Sequence, residues 1–168
     1  FHQPGRGRTG RNRAGTGGRA LCGLELFPES GQAGHYAAWN YFQSLDSDDN
    51  RSFVERFRKR FGPGRVLDDP MESSYVSVRL WVQGVLNCGS PETAAVRTQL
   101  ETDSLHMPEG IVSVDNDTWH VWKTARIGRA RGDGQFDIVW QSPRPIEPAP
   151  FPFFIPYAER SALSKAAR

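Results

Sequence analysis

Residues 107–140, MPEGIVSVDNDTWHVWKTARIGRARGDGQFDIVW, decide the fold. Gly110-Ile111-Val112-Ser113-Val114 alternates as a half-buried strand does, and Asp115-Asn116-Asp117 turns the chain. Trp119 to Ala130 reads as a second extended run. Gly132-Asp133-Gly134 is a strong hairpin signal. The strand after it places Phe136, Ile138 and Trp140 on one face at period two, where core is expected.

Upstream of this stretch the pattern is helical. The cluster Ser44 to Asn50 opens a helix that Asp46 or Ser47 can cap, with Asp48 and Asp49 in the first turn, where the helix dipole favours negative charge. Phe53, Val54, Phe57 and Phe61 recur at the spacing of one buried helical face, and Gly62-Pro63-Gly64 stops the run. In the next helix Asp69 can act as cap, Pro70 fits the first position, and Glu72 completes a D-x-x-E capping arrangement. Its core face is expected to carry Met71, Tyr75, Val78, Val82 and Val85, with Gly89 as terminator. Ser90-Pro91-Glu92 opens a short third helix bearing Val96 and Leu100. Before all of these, Tyr36 to Phe42, YAAWNYF, is aromatic and apolar enough for a buried strand.

Composition sets the outer limits. At 168 residues, with 38% hydrophobic residues, five Trp and ten Phe, the chain can order one ordinary domain. The net charge of +2 is small, but residues 1–20 hold five Arg and six Gly with no acid. That segment predicts a disordered leader, followed by a poorly defined linker over 21–34. The body spans 35–157, its proline-rich end favours an extended surface path, and 158–168 reads as a flexible tail. Two cysteines allow neither a disulfide framework nor a Cys-based zinc site. No run approaches the roughly 20 apolar residues of a membrane span, and the start shows no export signal.

Three stretches are specific enough to carry a resemblance: AAWNYFQSLDSDDNRSFVERFRKRFG, DDPMESSYVSVRLW, and residue 107 onward through SPRPIEPAPFP. They resemble the later part of periplasmic-type solute-binding proteins, nearest to the urea and short-chain-amide binders of ABC transporters, over about two-thirds of the chain. The resemblance implies an α/β chain with a partial periplasmic-binding-protein type I fold that contributes to both of two lobes, which close on a ligand by hinge motion. It places Trp39-Asn40-Tyr41-Phe42 at a crossing between lobes, helices from Ser47 to Leu100 in one lobe, and the return to the other from Gly110. It also implies a periplasmic, non-enzymatic component, without cofactor, whose partners are a small polar solute (urea, an amide or an amino acid) and ABC permease subunits. A cytoplasmic amide sensor that regulates amidase expression has the same fold and is the alternative.

A small amide needs a cleft that satisfies each of its donors and acceptors. Trp39 and Tyr41 are candidates for an aromatic wall there, against the plainer reading of strand core. Glu72 is a candidate to face the cleft, against the plainer reading of a capping residue. Asp115, Asp117 and His120 lack the spacing of a calcium loop or a zinc site; a turn before a strand accounts for the two aspartates, and His120 reads as a polar strand position. Gly5 to Gly10 matches G-x-G-x-x-G without the strand and helix that phosphate cradling needs, and Arg131-Gly132-Asp133 is explained by a hairpin turn. The Arg/Gly leader has the composition of single-strand nucleic-acid binders but lacks interleaved aromatics, so no nucleic-acid partner is expected.

Overall fold

The computed structural model describes residues 33–150 together with 155, 156, 159 and 162. The expected leader, most of the linker and the tail lie outside the described residues. Strand β1 (Tyr36–Trp39) is followed by helices α1 (Asp48–Phe61), α2 (Asp69–Cys88) and α3 (Thr93–Leu100). Strands β2 (Ser104–Met107), β3 (Gly110–Val114), β4 (Val121–Trp122), β5 (Arg126–Ala130) and β6 (Phe136–Gln141) complete the order. The strands form two antiparallel sheets, β1-β5-β6 and β2-β3-β4.

Each helix starts where local chemistry directs. Ser47 caps α1 by accepting from the Asn50 amide, with Asp48 and Asp49 in the first turn and Arg58, Lys59 and Arg60 in the last. The cap of α2 is Asp68, one residue before the one expected; its side chain accepts from the Met71 amide. Gly89 ends α2 in the left-handed conformation, at φ 69°, which glycine adopts without the penalty other residues meet.

The packed face of α2 is turned away from the expected one, although the expected Tyr75 does pack, stacked on Phe53 at 4.6 Å. Glu72, Val76, Leu80 and Gly84 are buried at a spacing of four. Val76 and Leu80 pack with Met107 and Val112 of the second sheet, and a Cβ on Gly84 would sit 3.0 Å from Val96 Cγ1 of α3. Met71, Val78, Trp81 and Leu86 are exposed instead.

A second correction concerns β1, where Tyr36 is exposed and the strand ends at Trp39. The buried aromatics, Tyr41 and Phe42, lie beyond it. Phe42 joins Ala130 and Phe136 in the core of the first sheet, and Tyr41 joins Phe53 and Leu67 in a third cluster under α1.

The period-two face of β6 holds at Phe136 and fails at Trp140, which is 48% exposed. A bulge between Ile127 and Gly128 pairs Gly128 with Ile138 but Ile127 with Trp140, which breaks the alternation. The run from Trp119 to Ala130 is likewise not one strand. Trp119 adopts φ 60°, β4 pairs with β3 in one sheet, and β5 pairs with β1 and β6 in the other. The chain therefore passes to the first sheet at residues 123–125, and not from Gly110.

Candidate functional site at the crossing between the sheets

Three runs of chain lie side by side where the sheets meet: 40–42 after β1, 123–125 between β4 and β5, and 142–146 after β6. The Asn40 side-chain amide donates to Thr124 O at 3.0 Å. Ser142 N donates to Ala125 O at 2.9 Å, Ala125 N to Ser142 Oγ at 3.1 Å, and Ile146 N to Lys123 O at 2.8 Å. Helix α2 is anchored to the first run, because Asp69 Oδ1 accepts from the Asn40 and Tyr41 amides at 3.1 and 2.8 Å. Asp69, expected as a helix cap, is thus a clamp on the crossing.

Buried charge fills the space behind these runs. The Glu72 and Glu109 side chains are 0% and 1% exposed, and Lys123 Nζ stands 3.9 Å from Glu72 Oε2 and 2.9 Å from Glu109 Oε1. Among the described residues none of the four glutamate oxygens meets strict hydrogen-bond geometry, yet Lys123 lies close enough to the Glu109 carboxyl, and the Glu109 backbone N–H to the Glu72 carboxyl, to favour their ionised forms. The ammonium's aligned hydrogen bond goes to Ser73 Oγ at 3.0 Å. Burial pushes the Glu72 carboxyl up to about 8, with Glu109 adding to the rise and Lys123 opposing it. Burial likewise raises Glu109, against the pull of Lys123. Arg126, lowered by burial, donates through Nη1 to Asn40 O and through Nη2 to Glu109 O, the latter at 2.7 Å. One guanidinium thus ties the first crossing run to the turn between β2 and β3.

Beside the crossing opens a cleft of about 600 Å³, lined among others by Ser44, Ser47, Glu109, Arg126, Arg131 and Gln141. Of the expected ligand residues, Trp39 is half-buried against the Phe42 cluster. Tyr41 is 1% exposed, with its hydroxyl donating to Asn50 Oδ1 at 2.9 Å. Glu72 is enclosed with Lys123 behind the cleft. None of the three is among the cleft's lining residues. The residues that the sequence reading passed over are Glu109, Lys123 and Arg126. Glu109 lies in the β2–β3 turn, Lys123 between β4 and β5, and Arg126 at the start of β5, and no local pattern marks them.

Asp115 behaves as the turn reading requires. Burial alone would raise its carboxyl, but the Thr118 hydroxyl at 2.7 Å, the Thr118 amide at 2.8 Å and the Trp122 indole at 3.1 Å hold it below its ordinary value. Arg131 pairs with Asp133 across its turn at 2.9 Å. Among the described residues no three His, Cys, Asp or Glu side chains converge as a metal site would require.

Two sheets joined by adjacent crossing runs are the geometry of a two-lobed binder. A periplasmic binding protein domain matches residues 23–157, and the chain belongs to that family. Its fold is part of the type I form. The solute-binding protein of an ABC transporter from Rhodopseudomonas palustris BisB5, in complex with 3,4-dihydroxybenzoic acid, superposes with a TM-score of 0.65 at 18% identity, over 74% of this chain and 35% of that one. The amino-acid ABC transporter substrate-binding protein of Pseudomonas fluorescens Pf-5 gives 0.64 at 19% identity, over 75% of this chain and 36% of that one. A protein named limonene hydroxylase from Geobacillus stearothermophilus is 35% identical over 118 residues, which are 70% of this chain and 22% of that protein. The chain therefore spans about a fifth of that relative and about a third of the solved binding proteins. The similarity to a protein bearing an enzyme's name corrects the expectation that the chain is non-enzymatic: sequence likeness does not separate it from enzymes.

Proposed function

We propose that the chain is a portion of the solute-binding component of an ABC importer, which closes two lobes around urea, a short-chain amide or a related amino-acid-like solute. The observation that carries this reading is the trio of adjacent crossing runs between two separately packed sheets, with a cleft of about 600 Å³ beside them. That volume lies in the range of roughly 300–1,000 Å³ usual for small-ligand sites.

The cleft's polar chemistry favours an amide over a carboxylate. Ser44 already donates to Phe136 O and Ser47 accepts from the Asn50 amide, which leaves an acceptor on Ser44, a donor on Ser47 and both on Gln141 for a bound amide. Both cations in the lining are already engaged: Arg126 by two backbone carbonyls and Arg131 by Asp133 and Asp137. With their terminal nitrogens so engaged, these guanidinium groups are poorly placed to grip a benzoate of the kind bound by the R. palustris protein. The partners on this reading are ABC permease subunits, and the compartment is the periplasm.

The test is calorimetric titration of this chain together with whatever precedes and follows it in its reading frame, against urea, acetamide, leucine and benzoate. Saturable binding of urea or acetamide with no benzoate heat is expected. Benzoate binding without either amide would overturn the assignment.

A further inference from the structure

We propose that Glu72 and Glu109 form a coupled pair that holds a single proton and fastens the start of α2 and the β2–β3 turn to the crossing run, so that the junction loosens when that proton leaves. The inference concerns this chain's own residues and does not depend on which solute is bound.

The geometry carries it in three steps. Both carboxyl groups are enclosed within 4.0 Å of one ammonium, and among the described residues their oxygens have no donor at strict hydrogen-bond geometry. Two buried carboxylates beside a single cation repel each other, and a proton taken up by either one removes that repulsion. The charged groups facing the pair are Asp69 from the start of α2, and Lys123 and Arg126 from the crossing run. With both glutamates ionised, three anions face two cations. With one proton on the pair the five groups balance, which is the cheaper state for an enclosed cluster.

The position makes the proton consequential. Glu72 belongs to α2, Glu109 to the β2–β3 turn, and Lys123 to the run that passes between the sheets. Arg126 grips the backbone of Glu109 and of Asn40 at once. Repulsion within the pair therefore acts on the elements that meet at the crossing, and not on a side chain free to swing into water.

The direction of the pH effect follows from linkage. The Glu72 carboxyl, raised to about 8 from its ordinary 4.5, binds its proton more tightly in the folded chain than in the unfolded one. Its stabilisation is complete below the unfolded value and is lost as pH rises toward 8.

The experiment is thermal unfolding of the full 168-residue chain between about pH 6 and pH 9, for the wild type and for Glu72→Gln and Glu109→Gln, with the carboxylic-acid carbonyl stretch followed by infrared spectroscopy in the wild type. The wild-type midpoint should fall by about 5 °C or more across that range. Either amide should flatten the dependence, because each removes one of the two charges. The infrared band should be present at the lower pH and absent at the higher. Variants that keep the full wild-type pH dependence, or a wild type with no carboxylic-acid band at the lower pH, would overturn the proposal; the band decides the matter even if a variant fails to fold.

Discussion

At the scale of single residues, the crossing is held by groups whose work is out of proportion to their size. Asp69 satisfies two backbone amides of the first crossing run with one oxygen. Asp69→Ala leaves both donors without that acceptor and should cost about 1–3 kcal/mol in urea-induced unfolding. Gly128 is set by close approach, since a Cβ there would lie 2.8 Å from the Phe42 ring and 3.0 Å from Phe136. The colliding atoms belong to packed aromatic rings in the core of the first sheet, so Gly128→Ala should destabilise by about 1–3 kcal/mol in the same measurement. Neither role was legible in the sequence. Asp69 satisfied a helix-capping pattern that its neighbour Asp68 fills, and Gly128 sat in a run that read as ordinary strand; Asp69 depends on partners 28 and 29 residues away and Gly128 on the Phe42 ring from before α1.

At the scale of elements, helix boundaries were the most readable feature, because caps and terminators are local. Ser47, Gly62 and Gly89 stand where their chemistry predicts. Which face of α2 is buried was not readable. The helix is apolar on two sides, and Met71, Val78 and Val82 lie roughly opposite Val76 and Leu80 at 3.6 residues per turn. Only the position of the second sheet selects between them. The selection has a measurable consequence: Leu80→Ala should cost about 2–5 kcal/mol, while Val78→Ala should stay within about 0.5 kcal/mol, read from denaturation midpoints at unchanged slope. Equal losses at the two positions would show that α2 packs with the other face. The strand reading failed for a related reason. Trp119 to Ala130 has one apolar texture, yet it divides at residues 123–125 because β4 and β5 pair with different partners, and pairing is not encoded in a single strand.

For the whole molecule, each sheet keeps its own apolar cluster, Phe42 with Phe136 in one and Val76 with Val112 in the other. Polar and charged groups occupy the seam between them. That division suits hinge motion, since well-packed apolar interiors move as units while a seam of hydrogen bonds at element ends absorbs the change. The family resemblance and the crossing at Asn40 were visible in the sequence. The buried Glu72, Glu109 and Lys123 cluster was not, because it is assembled from three elements that only the fold brings together. The chain spans about a third of the solved binding proteins that it matches, so closure is a property to be measured on the product of the complete reading frame. Small-angle X-ray scattering of the complete reading-frame product, with and without saturating urea or acetamide, tests the clamp most directly. A saturable decrease in radius of gyration on adding the solute is predicted; a bound solute that leaves the scattering unchanged would contradict it.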